Sequence, residues 1–134
     1  MLSIVVPCKD AHEYTSECLF AIESHTKDYE VILVDNGSDP QYDWTDIKND
    51  AVKIIRNEEN LGFPKAVNQG LKIAGGDYLC ILNNDIITSP RWWEYLKEHM
   101  DNGADLVGPM TNYITGPQQV RVPVYRNMEE LNRV

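Results

Sequence analysis

Three polar clusters hold side chains whose types and spacing could do chemistry. In Val34-Asp35-Asn36-Gly37-Ser38-Asp39-Pro40, two carboxylates flank a Gly-Ser pair directly after an apolar run. A carboxylate so placed can accept hydrogen bonds from an imide N–H or from sugar hydroxyls, charge-assisted contacts worth roughly 1.5–3 kcal/mol each. The same residue types also make an ordinary solvated turn. In Leu82-Asn83-Asn84-Asp85 a further carboxylate follows a second apolar run. A hard cation such as Mg²⁺ takes only one or two protein carboxylates beside phosphate oxygens and water, so Asp85 alone would suffice. The triplet could equally cap the next turn. In Asn57-Glu58-Glu59-Asn60-Leu61-Gly62-Phe63-Pro64-Lys65 a loop runs into a helix start. Backbone N–H groups and the helix dipole there favour an anion, and Lys65 would add a point charge, provided Glu58 and Glu59 point away.

Other chemistries find little support. His12, His25 and His99 have no paired metal-ligand spacing and read as structural or surface residues. Neither a GxGxxG fingerprint nor a GxxxxGK[ST] loop occurs. Cys8, Cys18 and Cys80 are odd in number and lack CxxC pairing, which fits buried apolar roles in a reducing, cytoplasmic compartment. Trp92-Trp93 reads as packing, with one ring inward and one near the surface. With 12 Lys+Arg against 21 Asp+Glu, the net charge of −9 argues against nucleic acid as a partner. An acidic chain that handles an anion needs a helix N-terminus or a bridging metal ion.

The elements that must position these clusters follow from the apolar pattern. The 134 residues make one domain by length, with 43% hydrophobic and 25% charged residues, as in ordinary globular chains. No apolar run reaches the roughly 20 residues of a membrane-spanning helix, and no basic-then-apolar leader is seen at the start. Leu2–Pro7, Glu30–Val34, Val52–Arg56, Tyr78–Leu82 and Asp105–Gly108 read as strands. Helices are expected between them, from the spacing of Tyr14, Cys18, Ile22 and His25, of Phe63, Val67, Leu71 and Ala74, and of Trp93, Leu96 and Met100. Pro64 suits a first turn, Gly75-Gly76 and Asn102-Gly103 suit stops, and Ser89-Pro90 predicts the third helix start. Alternation of this kind predicts an α/β fold, a mostly parallel sheet with helices on both faces. Ligands then sit beyond the carboxyl strand ends, where Pro7–His12, Asp35–Pro40, Asn57–Phe63 and Asn83–Ser89 converge. Residues 117–134 read as an irregular segment followed by a helix opening at Asn127-Met-Glu-Glu, cut off at Val134, so a truncated piece of a larger protein is expected.

Taken in order, Ser3-Ile-Val-Val-Pro7, Val34-Asp-Asn-Gly-Ser-Asp39, Asn60-Leu-Gly62 with Ala66 and Asn68, Gly76-Asp-Tyr78 and Leu82-Asn-Asn-Asp85 with Pro90 resemble family 2 glycosyltransferases of the Rossmann-like GT-A fold. The resemblance covers about residues 2–116. It is nearest the branch with an Asn-Asn-Asp metal motif and a following Gly-Pro-x-x-Asn-Tyr segment, here Gly108-Pro-Met-Thr-Asn-Tyr113. It implies transfer of a sugar from a nucleotide-diphosphate-sugar, a UDP- or dTDP-sugar, to a glycan, lipid-linked or protein acceptor, with inversion and with Mn²⁺ or Mg²⁺ as cofactor. It also implies a nucleotide-binding set of Pro7, Cys8, Asp10, Asp35, Asn60, Gly62, Lys65, Asn83 and Asn84, with Asp39 beside Asp35 and with Asp85 as metal ligand. Peripheral membrane association of the full-length protein belongs to the same picture.

The chain departs from that pattern in places. Lys9-Asp10 stands where many relatives have Tyr-Asn, and Asn83 replaces the first Asp of the metal motif, so the cation is expected to arrive with the nucleotide. No Gly-Gly-Phe-Asp-like segment with an acidic pair in its wake follows Asp85. Asp101, Asp105, Glu129 and Glu130 lack the context of a catalytic base, and none is assigned. A non-catalytic nucleotide-sugar-binding module is therefore the alternative. A response-regulator receiver domain is more remote, because Lys9-Asp10, Arg56-Asn57 and Pro109-Met110 occupy the places of its acidic pair, Asp and Lys.

Overall fold

Two strands carry the apolar runs that need cover on both faces. β1 (Leu2–Cys8) is buried along its whole length and β2 (Tyr29–Asn36) along all but its first residue. They form the middle of a parallel four-stranded sheet ordered β3-β2-β1-β4, with β3 at Val52–Asn57 and β4 at Tyr78–Ile81. The two edge strands alternate or thin out in burial, as one-sided strands do. In the computed structural model, residues 1–110, 118 and 119 are described. The chain divides into two units, Met1–Thr88 and Ser89–Val134.

In the first unit, α1 (His12–His25) joins β1 to β2 and α2 (Phe63–Ile73) joins β3 to β4. Val5, Ile32 and Val34 form one buried cluster with Ala66 of α2. A Cβ on Gly70 would lie 2.4 Å from Val5 Cγ1, so α2 rests on β1 with no room for a side chain between them. By strand alternation Ile4, Val6, Val31 and Leu33 take the opposite face, all of them at most 1% exposed. Cys8, on that face, meets Thr15 of α1. The chain thus winds β1–β2–β3 in one direction and returns to the far side of β1 for β4. That makes the carboxyl end of the β1–β4 pair a topological switch point.

The amino end of the sheet is held by Glu30. Its Oε1 accepts from Ser3 Oγ (2.6 Å) and the Gly75 N–H (2.6 Å), and its Oε2 from Lys53 Nζ (2.6 Å). Lys53, then Ser3 and Gly75, pull its pKa down to about 2.

In the second unit, α3 (Trp92–Asp101) ends at Asn102 and Gly103, as expected, the Gly103 N–H donating to Met100 O. Its start differs from expectation. Ser89-Pro90 lie in a turn, and the helix begins after Arg91, a left-handed residue at φ 65°. Trp92 and Trp93 are both half-buried, their ring centroids 6.3 Å apart. The expected strand at Asp105–Gly108 does not form. Leu106 is 90% exposed, so the segment buries no apolar face that would favour a ladder. Nearly all of 117–134, with its expected helix, lies outside the described residues, as do Thr111–Tyr113.

Candidate functional site

Because all four strands run parallel, the loops after each of them emerge at one edge. Register puts Cys8 beside Asp35 and Asp35 beside Arg56 at that edge. β4 stops earlier, at Ile81 beside Val5, and Leu82 N–H still donates to Val5 O (3.0 Å) before the chain turns away. The loops that follow β2 and β4 therefore flank the loop that follows β1.

Asp35 is fully buried and is the hub of the β2 loop. Its Oδ1 accepts from Ser38 N–H (3.1 Å) and Ser38 Oγ (2.6 Å), and its Oδ2 from Trp44 Nε1 (3.0 Å) and from Arg56 Nη1. A carboxylate offers about four lone-pair sites, so this set is complete. Burial alone would raise the Asp35 pKa, but the bonds from Ser38, Trp44 and Arg56 outweigh it and hold the group below its ordinary value. Arg56 Nη2 also donates to Ser38 O (2.8 Å). Around Trp44 the ring of His12 stacks on Tyr42 with centroids 4.2 Å apart.

The β1 loop is tied to the β2 loop. Asp10 N–H donates to Ser38 Oγ (2.8 Å), and Asp39 N–H donates to Asp10 Oδ1 (2.9 Å). Lys9, then Asp39, lower the pKa of the Asp10 carboxyl. Asp10 and Ala11 both sit in the left-handed region, at φ 55° and 51°. Pro7 and Cys8 are buried within β1 itself, which leaves Lys9 and Asp10 as the exposed reach of this loop. Burial and then Asp35 push the Cys8 thiol up to about 12, so it stays protonated.

The β3 loop is tied in by side-chain amides. Asn36 Nδ2 donates to Asn60 Oδ1 (2.9 Å), and Asn36 Oδ1 accepts from Asn57 Nδ2 (3.0 Å) and Leu61 N–H (3.1 Å). Asn57 and Gln69 of α2 exchange two bonds of 2.8 Å. Gly37 is where the two loops touch. At φ 77° it favours glycine, and a Cβ there would lie 2.5 Å from the Glu59 carbonyl carbon. Gly62, at φ 85°, opens α2, with Pro64 in its first turn and Lys65 exposed.

In the β4 loop the three motif residues divide. Asn83 and Asp85 are exposed, while Asn84 turns inward and its Nδ2 donates to Thr15 Oγ1 (2.9 Å). The Cys18 thiol meets Asn83 O (3.6 Å), and His25 Nδ1 meets Thr88 O (2.7 Å). The Asp85 carboxylate has no partner among the described residues. No cluster of three His, Cys, Asp or Glu able to hold a metal ion occurs among the described residues.

Sequence reasoning located the four loops but missed the groups that brace them. Arg56 and Trp44 on Asp35, the Asn36–Asn57–Gln69 amides, and Thr15 beneath Asn84 carried no local signal. The first of these could have been sought as a charge at the end of an apolar strand.

Comparison with known proteins agrees with this architecture. The family model "Glycosyl transferase family 2" matches residues 3–133. "Glycosyltransferase GlyG" of Streptococcus pneumoniae serotype 4 is 32% identical over 120 residues, covering 84% of this chain and 40% of that protein. The poly(ribitol-phosphate) beta-glucosyltransferase of Bacillus spizizenii is 32% identical over 113 residues, covering 75% of this chain and 18% of its own length. The crystal structure of S. aureus TarS 1–349 superposes with a TM-score of 0.64 at 24% identity, covering 75% of this chain and 32% of that one. The chain spans well under half the length of these relatives.

Proposed function

The chain belongs to glycosyl transferase family 2, and from that premise we propose that it holds a nucleotide-diphosphate-sugar at the carboxyl edge of its sheet, for inverting transfer of the sugar to an acceptor hydroxyl with divalent-metal assistance. The observation that carries this reading is Asp85: an exposed carboxylate with no partner among the described residues, at the same edge as the Asp35 hub. One carboxylate fits a hard cation whose remaining ligands are diphosphate oxygens and water. Asp85 would hold Mn²⁺ or Mg²⁺, and such a cation offsets the charge that develops on a departing nucleoside diphosphate.

The chain's own residues supply the rest. Lys9 and Asp10, with the Asp35–Asp39 turn, border the place of the nucleoside. A ligand N–H that reaches Asp35 has to take over one of its four present bonds. Gly62 and Lys65 at the start of α2 favour the anionic end of the donor. A UDP- or dTDP-sugar as donor, and a glycan, lipid-linked or protein acceptor, are the substrates we assign. A cytoplasmic setting, with peripheral membrane association of the full-length protein, completes the assignment.

Calorimetry with UDP and dTDP, with and without Mn²⁺, tests the reading. One nucleotide is expected to bind at least about tenfold more tightly with Mn²⁺, and Asp85→Ala to abolish that gain, as loss of a metal ligand should. Binding indifferent both to Mn²⁺ and to the substitution would overturn the role of Asp85.

A further inference from the structure

We propose that Thr15 of α1 is a positioning residue for the metal-motif turn, and that it acts through Asn84. The inference rests on the metal reading of Asp85 above.

Thr15 is fully buried, and its hydroxyl has two tasks that fix its direction. It donates to Ala11 O (3.2 Å), one helical turn back, so only its lone pairs face Asn84. A flipped Asn84 amide would set oxygen against oxygen at that contact. The hydroxyl therefore selects the orientation in which Asn84 Nδ2 donates, at 2.9 Å. With the middle residue of the triplet pinned inward, its two neighbours face outward, and Asn83 and Asp85 are the exposed pair. Two further contacts keep the turn on the same helix, from the Cys18 thiol to Asn83 O and from His25 Nδ1 to Thr88 O. Residues 83–88 thus take their position from α1 rather than from β4, the strand they follow. Thr15 also meets Cys8 at the end of β1.

A side chain that orients a metal-binding turn without touching the metal typically changes metal affinity by about 10–100-fold. Thr15→Val keeps the shape and removes the hydroxyl. In the full chain, with UDP or dTDP as probe, it is expected to cut the Mn²⁺-dependent gain in affinity about tenfold or more, with metal-free affinity unchanged. Thr15→Ser is expected to restore the gain. Asn84→Ala should lose as much as Thr15→Val, and the double variant no more than either, because both remove one hydrogen bond. Thermal melts of each variant establish that the comparison is made on folded protein. Additive losses in the double variant, or a Thr15→Val protein with the full Mn²⁺ gain, would overturn the proposal while leaving the reading of Asp85 in place. A wild-type protein without any Mn²⁺ gain would overturn that reading first, and this inference with it.

Discussion

Asp35 and Asn36 are adjacent, yet they brace different loops, because successive side chains on a strand point to opposite faces. The Asp35 carboxylate gathers Ser38, Trp44 and Arg56, whereas the Asn36 amide gathers Asn57, Asn60 and Leu61. Asp35→Asn removes the charge that Arg56 answers and turns one acceptor into a donor facing other donors. Breaking a buried pair in this way should destabilise the fold by about 3 kcal/mol, read as a lower urea midpoint at unchanged slope. A midpoint equal to that of wild type would show that Arg56 is satisfied by solvent. The aspartate itself was legible in the sequence as a chemically useful group. Its partners were not, since Trp44 and Arg56 lie 9 and 21 residues away in the chain, Arg56 reaching Asp35 through the β2–β3 register and Trp44 through the connection between those strands. Thr15 and Asn84, 69 residues apart, were equally invisible for the same reason.

At the level of elements, apolar periodicity located the four strands and three α-helices of the described residues, within a residue or two at most ends. It failed where local propensity had no partner to act on, as at Asp105–Gly108. It also overrated Tyr14, which shares a nominal helical stripe with Cys18 and Ile22 but is 60% exposed, because the face of α1 that packs runs through Thr15, Cys18, Ala21 and Ile22. The clamp at the amino end of the sheet makes a separate claim about stability. Glu30 has its pKa lowered from the ordinary 4.5 to about 2 in the fold, so the folded state favours the ionised form. Its contribution is then complete above about pH 4.5 and is lost as the pH falls towards 2. With Lys53 about half-exposed and screened, we expect a loss of about 2 kcal/mol across that window. Denaturant melts of wild type and Glu30→Gln between pH 6 and pH 2.5 should converge at the acid end, a range about set by these two pKa values. Parallel curves would place the acid sensitivity elsewhere.

For the whole molecule the dominant quantity is a net charge of −9. A nucleoside diphosphate without metal approaches this field at a disadvantage, and salt screens it, the Debye length shrinking from about 30 Å at 0.01 M to about 8 Å at 0.15 M. Metal-free UDP affinity should therefore rise severalfold with added salt across that range. A fall would mean that Lys9 and Lys65 dominate the local field. The chain covers 40% of one relative and 18% of another, which leaves most of their length without a counterpart here. One feature of the carboxyl edge of the sheet bears on any attempt to rebuild it. Because backbone meets backbone where Gly37 touches Glu59, neither neighbouring loop can be exchanged alone. A chimaera that imports another enzyme's donor preference has to transplant residues 35–40 and 57–62 as one cassette, or the seam between host and graft will not close.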